Sequence, residues 1–268
     1  MEGWKIRQAP WKGLVYLAAG LLLIGWLANT PAGFSGKARA VGYAVCHQID
    51  GRTFHIGNWA FPLCARCTGM YLGAVLGLAY QSVFGRRRCG TPPWRVIGIL
   101  AVLLGLFGID GVNSYLHFFP GFPTLYEPQN WLRLVTGTGM GLVISAALFP
   151  SFNQTIWSGW DARPAITGLR SLFGLLLLAA GLVGLVLGNN PVILYPLAFI
   201  SAGGVLLLLT MIYSIVVVMV IRKENQFQHW NQLLLPLTAG FTLALLQISA
   251  LDIVRFFFTG TWSGFHLG

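Results

Sequence analysis

Apolar positions in this chain run together in long blocks. About seven such blocks, at roughly 11–29, 62–84, 95–118, 131–150, 170–188, 191–221 and 232–258, approach or exceed the ~20 residues a helix needs to cross a ~30 Å hydrocarbon core. The pattern predicts an all-α integral membrane protein with about seven transmembrane helices. Gly188-Asn189-Asn190-Pro191 breaks the fifth block from the sixth, since Gly and Asn accept positive φ and Pro fits the first turn of a new helix. Those two helices are expected to be antiparallel neighbours.

The longest polar interruption near the start, 30–61, has a pattern of its own. Ser35 is placed to cap a short amphipathic helix over 36–48, and Asp50-Gly51 reads as the turn after it. Arg52 to Ile56 and Trp59 to Phe61 flank Gly57-Asn58, which predicts a hairpin. Pro62 then falls in the first turn of the second span.

Composition agrees with a membrane protein: 56% of residues are hydrophobic and 9% charged, against about a quarter charged in soluble domains. Lys5, Arg7 and Lys12 precede the first span and no cleavable small-residue site follows it, which implies a retained helix and a cytoplasmic N-terminus. Alternate loops then place Arg86, Arg87, Arg88, Arg95, Arg163, Arg170, Arg222 and Lys223 inside, against Lys37, Arg39 and Arg52 outside. The expected location is the plasma membrane, multi-pass, with the bilayer as partner. The net charge of +10 is thereby explained by topology, and nucleic acid is excluded as a partner because the basic residues form no stripe.

Residues 1–150 hold nearly all the unusual polar residues within or near spans, and 151–268 are chiefly Leu, Val, Ile and Gly. The chain therefore divides into a four-helix unit carrying the chemistry and a three-helix extension suited to packing against other membrane proteins.

Three of the four cysteines crowd into the outer segment and the helix start after it, as Cys46-His47 and Cys64-Ala65-Arg66-Cys67. Sulfur and imidazole donors at this spacing suit a tetrahedral metal site with Cys46, His47, Cys64 and Cys67 as ligands, His55 as the alternative imidazole, and zinc as the metal. A structural or redox disulfide is the competing reading, because an outer face is oxidising. Cys89, among inner-face arginines, is a bystander.

Polar residues of other spans map to the same side. Asp110, Asn113 and His117 share a face at the outer end of the third span, and Arg133 lies in the first turns of the fourth, as a partner for Asp110. Asp252 and Arg255 end the seventh span as a further pair. Asp110, Arg133 and His117 are the candidate catalytic residues, and Arg66 and Asn113 the candidate substrate contacts, for a ligand or lipid-like substrate with an anionic headgroup. His229 and His266 are expected to be solvated. Gly69-x-x-x-Gly73-x-x-x-Gly77 and Gly137-x-Gly139-x-Gly141 are packing features that let helices approach closely.

Cys46-His47-Gln48, Arg52-x-Phe54, Pro62-Leu63-Cys64-Ala65-Arg66-Cys67-Thr68-Gly69-Met70-Tyr71-Leu72-Gly73, Asp110-Gly111 and Asn130-x-x-Arg133-x-x-Thr136-Gly137 together resemble a family of small prokaryotic polytopic membrane proteins of uncharacterised function, over roughly 40–145. Thr53, and Asn113 or Ser114, depart from the residues usual in that family. The resemblance implies a shared outer-face site and supplies no reaction. Two other classes stay open beside the metal-stabilised pocket: an accessory transmembrane subunit of a larger complex, and a thiol-disulfide protein exchanging electrons with quinone.

Overall fold

The computed structural model describes residues 11–119 and 121–265; Lys5, Arg7 and His266 lie outside it. Among the described residues, seven helices are long and apolar enough to span a bilayer. They are α1 (Trp11–Asn29), α3 (Ala65–Phe84), α4 (Trp94–Leu116), α5 (Asn130–Ile156), α6 (Leu169–Leu187), α7 (Pro191–Val220) and α8 (Leu234–Thr259). The fold is thus an all-α polytopic membrane protein. Its surface carries large apolar side chains along every span, from Leu21 on α1 to Phe257 on α8, as lipid contact requires.

Three boundaries differ from the sequence reading. The fourth span continues through Pro150 to Ile156, because α5 accommodates the proline within the helix. The second span begins only at Ala65, because Pro62 is part of a strand. The amphipathic segment forms α2 (Gly33–Val45), which starts after Ala32 with no side-chain cap, so Ser35 lies inside the helix. As expected, Asn190 and Pro191 open α7: the Asn190 side chain accepts from Val192 N–H at 3.0 Å.

Short polar elements close the two ends of the bundle. At one end, β1 (Thr53–Ile56) and β2 (Trp59–Cys64) form the hairpin, with Gly57 at φ +58 in its turn. At the other, β3 (Arg88–Gly90) pairs parallel with β4 (Asp161–Pro164), and Ser158 N–H donates to Phe227 O.

The tightest helix pair is α3 with α5. Their backbones touch through glycines: a Cβ on Gly73 would stand 2.4 Å from Thr138 O, and one on Gly141 would stand 2.2 Å from Met70 O. Outside this pair, α7 packs on α3, α2 and β2, and α8 packs on α7, α1 and α2.

Candidate metal centre and arginine cluster

The hairpin and α2 bring the cysteines together. Gly42 of α2 lies so close to β2 that a Cβ there would fall 1.8 Å from Pro62 O. Gln48, the residue at φ +50 after the Cys-His pair, donates from its amide to Arg39 O and Pro62 O at 3.0 and 2.7 Å. With α2 clamped to β2, the Cys46 Sγ accepts from Cys64 N–H at 3.2 Å. One ligand atom each from Cys46, His47 and Cys64 lies within 4.8 Å of the others. The Cys67 thiol, one turn into α3, is within hydrogen-bonding reach of both sulfurs.

All four cysteines are free thiols, and Cys46 and Cys64 are buried. Cys64 is the sulfur poised to ionise: the thiols of Cys46 and Cys67 donate to it and His47 adds a further donor, which holds its pKa well below the usual thiol value. Cys46 is pushed up to about 12 by the bond it donates to Cys64 and by burial.

The three sulfurs, two buried and Cys67 half-buried, fit a soft metal by number and proximity. His47 fits on one condition. Its Nδ1 accepts from Ile49 N–H at 3.0 Å, so the neutral ring carries its proton on Nε2. Coordinating through either nitrogen means giving up that bond. The alternative imidazole, His55, is half-exposed and bonded to Asp50 at 2.8 Å, outside the sulfur group. Cys89 stands apart in β3, its thiol 3.4 Å from Asp161 O.

A residue outside the expected site holds the ligand loop. Arg255 of α8 donates to Tyr43 O at 2.6 Å, Cys46 O at 2.5 Å and His47 O at 3.2 Å, with its guanidinium over the Tyr43 and Phe265 rings. The expected Asp252–Arg255 pair is not formed; Asp252 instead accepts from Trp26 Nε1 at 3.0 Å. The carbonyls at and just beyond the end of α2, of which His47 O also accepts from Phe265 N–H at 3.0 Å, suit a multivalent donor, and a guanidinium supplies one.

Cys64 and Cys67 face α2, whereas Arg66 between them reaches α4. Its Nε donates to Asp110 Oδ2 at 3.0 Å, and its Nη2 donates to Asp110 Oδ2, Asp110 O and Ser114 Oγ. Asp110 is 1% exposed. It also accepts from the Tyr126 hydroxyl at 2.9 Å, and Thr136 Oγ1 stands 3.3 Å away. Its ion-pair partner is therefore Arg66, not Arg133 as the sequence suggested.

Arg133 is buried on α5, bonded to Asn130 Oδ1 at 2.8 Å, and its Nε has no partner. Arg52 joins from the hairpin side, donating to Ser114 O at 3.2 Å across the Phe118 ring. Its pKa falls to about 10 through burial and the neighbouring charges of Arg133 and Arg66. Three guanidiniums thus surround one carboxylate.

Asn113 is spent on the following loop, donating to Tyr126 O and accepting from Leu125 N–H. His117 caps α4 and is exposed. Tyr126 escaped the sequence reading because it sits in an irregular loop with no periodicity to place it; its spacing from Asn113 gives no signal.

Helical spans capped at one end by this thiol and arginine cluster define a polytopic membrane protein with a buried polar site. The protein family described as Predicted membrane protein (DUF2085) matches residues 46–147, from the first clustered cysteine into α5. An uncharacterized protein of Methanothermobacter thermautotrophicus is 31% identical over 102 residues, 37% of this chain and 82% of that one. Another, of Methanocaldococcus jannaschii, is 26% identical over 143 residues, 53% of this chain and 86% of its own. The chain belongs to this family of predicted membrane proteins. Helices α6, α7 and α8 lie beyond the family match. No solved structure matches.

Proposed function

We propose that Cys46, Cys64 and Cys67, with His47 as fourth ligand, hold a zinc ion that fixes the start of α3, and that this fixed helix end presents an outer-face pocket for an anionic, lipid-like ligand. The observation that carries the reading is the convergence of two buried sulfurs, a half-buried third and an imidazole on one helix terminus from which Arg66 enters the arginine cluster. Bound zinc would supply a closed tetrahedral crosslink. The basic loops at the opposite end support an outward orientation for the site.

Within the pocket, Asp110 aims Arg66, because every bond it makes is accepted from a neighbour already in place. Arg133, bonded through Nη1 to Asn130 and with Nη2 uncommitted, is the group left to meet the ligand, and Arg52 adds charge at the rim. His117 and Asn113 stand at the margin. If the site is catalytic, Asp110 or His117 exchanges a proton at the ligand; Asp110→Asn in a folded protein should then abolish turnover, and unchanged turnover rejects that role. The first unit, to about residue 150, carries this pocket, and the extension after it contributes Arg255 as a brace.

The test is elemental analysis of protein purified without chelator, with a count of reactive thiols under denaturing, non-reducing conditions. About one zinc per chain and free thiols are expected, with metal lost in Cys64→Ser and weakened roughly 10–100-fold in His47→Ala. No metal together with one disulfide would overturn the zinc assignment and favour thiol-redox chemistry.

A further inference from the structure

Residues 46–49 are neither helix nor strand, so the backbone that carries Cys46 and His47 must be held by other parts of the chain. Gln48 ties it to β2 on one side. On the other, the chain returns to it after α8. Gly260, at φ +66, ends α8 in a left-handed turn, and residues 260–265 run back onto the end of α2. The Tyr43 hydroxyl donates to Thr261 O at 2.8 Å, and Trp262 packs on the Tyr43 ring with centroids 5.1 Å apart. Phe265 N–H donates to His47 O at 3.0 Å. Gly264 lies so near Gln48 that a Cβ there would fall 1.8 Å from Gln48 O.

This segment and Arg255 act on the same peptides. His47 O receives two donors, the Arg255 guanidinium and Phe265 N–H, and Cys46 O receives Arg255. A cap for α2 would need only the carbonyls of its last turn, whereas these bonds reach Cys46 and His47, beyond its last residue, Val45. They fix the His47 backbone and leave its ring a single bond, from Ile49 N–H, to exchange for a metal. Charge points the same way. Zinc held by three thiolates and a neutral imidazole keeps one negative charge uncompensated, and the guanidinium on the Cys46 and His47 peptides supplies the counter-charge. Asp252 is hydrogen-bonded to Trp26 and makes no bond to this guanidinium. All of these contacts come from a part of the chain outside the family match.

We propose that Arg255 and the strap 260–265 are positioning elements of the metal centre: they hold the Cys46 and His47 peptides in register with Cys64 and Cys67, and so set how slowly bound zinc leaves. This rests on the zinc reading above and adds to it the part of the molecule that governs metal retention.

The experiment uses the full chain in detergent, with cobalt(II) as a visible probe of ligand geometry and zinc release to excess chelator as the rate. Gly264→Ala keeps every donor but forces the strap away from Gln48. Arg255→Lys keeps the charge and loses the fork that spans the carbonyls. Both should release zinc about 10-fold faster or more, the scale of lost outer-shell support, and both should weaken and shift the cobalt ligand-field bands. Tyr213→Phe is the control, because it loosens α8 through its bond to Gln247, away from the strap; its bands and release rate should match wild type even if it melts earlier. Wild-type bands and rates in Gly264→Ala would overturn the proposal whatever the melting temperatures, and would reduce the strap to packing. Equal acceleration in Tyr213→Phe would overturn it too, by tracing release to general loosening of α8. Should Arg255→Lys fail to fold, Gly264→Ala decides alone. A wild type that takes up neither metal overturns the zinc reading itself, whereas normal uptake with unaltered variants overturns only the strap.

Discussion

Arg66 and Arg133 carry the same charge in the same cluster but differ in what depends on them. Arg66 neutralises a carboxylate that is 1% exposed, so Arg66→Ala should lower stability by about 3–5 kcal/mol, the range for stranding a buried charge. Arg66→Lys should recover only part of this, because an ammonium cannot reproduce the forked contact with the carboxylate, the backbone carbonyl and Ser114. Arg133→Met should be neutral or stabilising, since it removes an unspent buried N–H and relieves repulsion from Arg52 and Arg66. Melting temperatures in one detergent decide the point: a larger loss from Arg133→Met than from Arg66→Ala contradicts this division of labour.

Tyr126 gives the same site a signature in alkali. Burial and the bond to Asp110 raise its pKa to about 12 from the ordinary value of 10. A folded-state pKa above the unfolded one means the contribution is fully present below pH 10 and is lost as pH rises through about 12. The phenolate absorbance of one tyrosine should therefore appear late, and Tyr126→Phe should remove that late component. A difference between wild type and variant that develops near pH 10 instead of near 12 would show that the Asp110 bond is absent.

At the scale of elements, the pairing of α3 with α5 decides which side chains can meet. Their glycines let the backbones touch, so a single methyl at Gly73 or Gly141 collides with a carbonyl rather than a movable side chain. Gly73→Ala should destabilise by about 1–3 kcal/mol through overpacking, despite the better helix propensity of Ala. Gly105→Ala, where a Cβ meets nothing within 4 Å, should be neutral or stabilising. Equal effects at the two positions, measured by denaturation in mixed micelles, would refute the close-contact account.

That same contact explains what could be read in the sequence and what could not. Runs of apolar residues fix how deep a side chain lies, so the seven spans, the hairpin and the shared level of Cys46, Cys64, Arg66, Asp110 and Arg133 were legible. Rotation about the helix axis is not encoded in hydropathy. Turning α3 so that its glycines meet Thr138 also turns Arg66 onto Asp110, which is why a partner chosen by depth alone fell on Arg133. Pro62 misled for a related reason: it fits a helix start by local preference, yet the hairpin register Thr53 to Cys64 keeps it extended. Arg255 was read beside Asp252 because neighbours on one helix are visible in sequence, whereas carbonyls offered by α2 are not.

For the whole molecule, the ends of the bundle divide the chemistry. The sulfur and arginine clusters occupy one end, and the parallel β3–β4 pair with Arg87, Arg88 and Arg163 occupies the other. The half-exposed Cys89 lies at this second end, bonded only to a carbonyl, and so reports orientation. A membrane-impermeant thiol reagent should leave Cys89 unmodified in intact cells and modify it in inverted vesicles. Labelling from outside would reverse the orientation and place the thiol cluster in the reducing compartment, where a disulfide would be disfavoured.

The bond between Trp26 and Asp252 spans 226 residues of chain, and α1 packs chiefly against α8. The ribosome releases α1 early and α8 late, so at about 5–20 residues per second the first span waits roughly 10–45 s for its partner. Throughout that interval an indole N–H in the membrane has no intended acceptor. Biogenesis of this protein therefore requires that α1 be stored, in lipid or beside an insertion factor, until translation is nearly finished, and a ribosome stalled before codon 252 leaves behind a chain whose first helix has nowhere to dock.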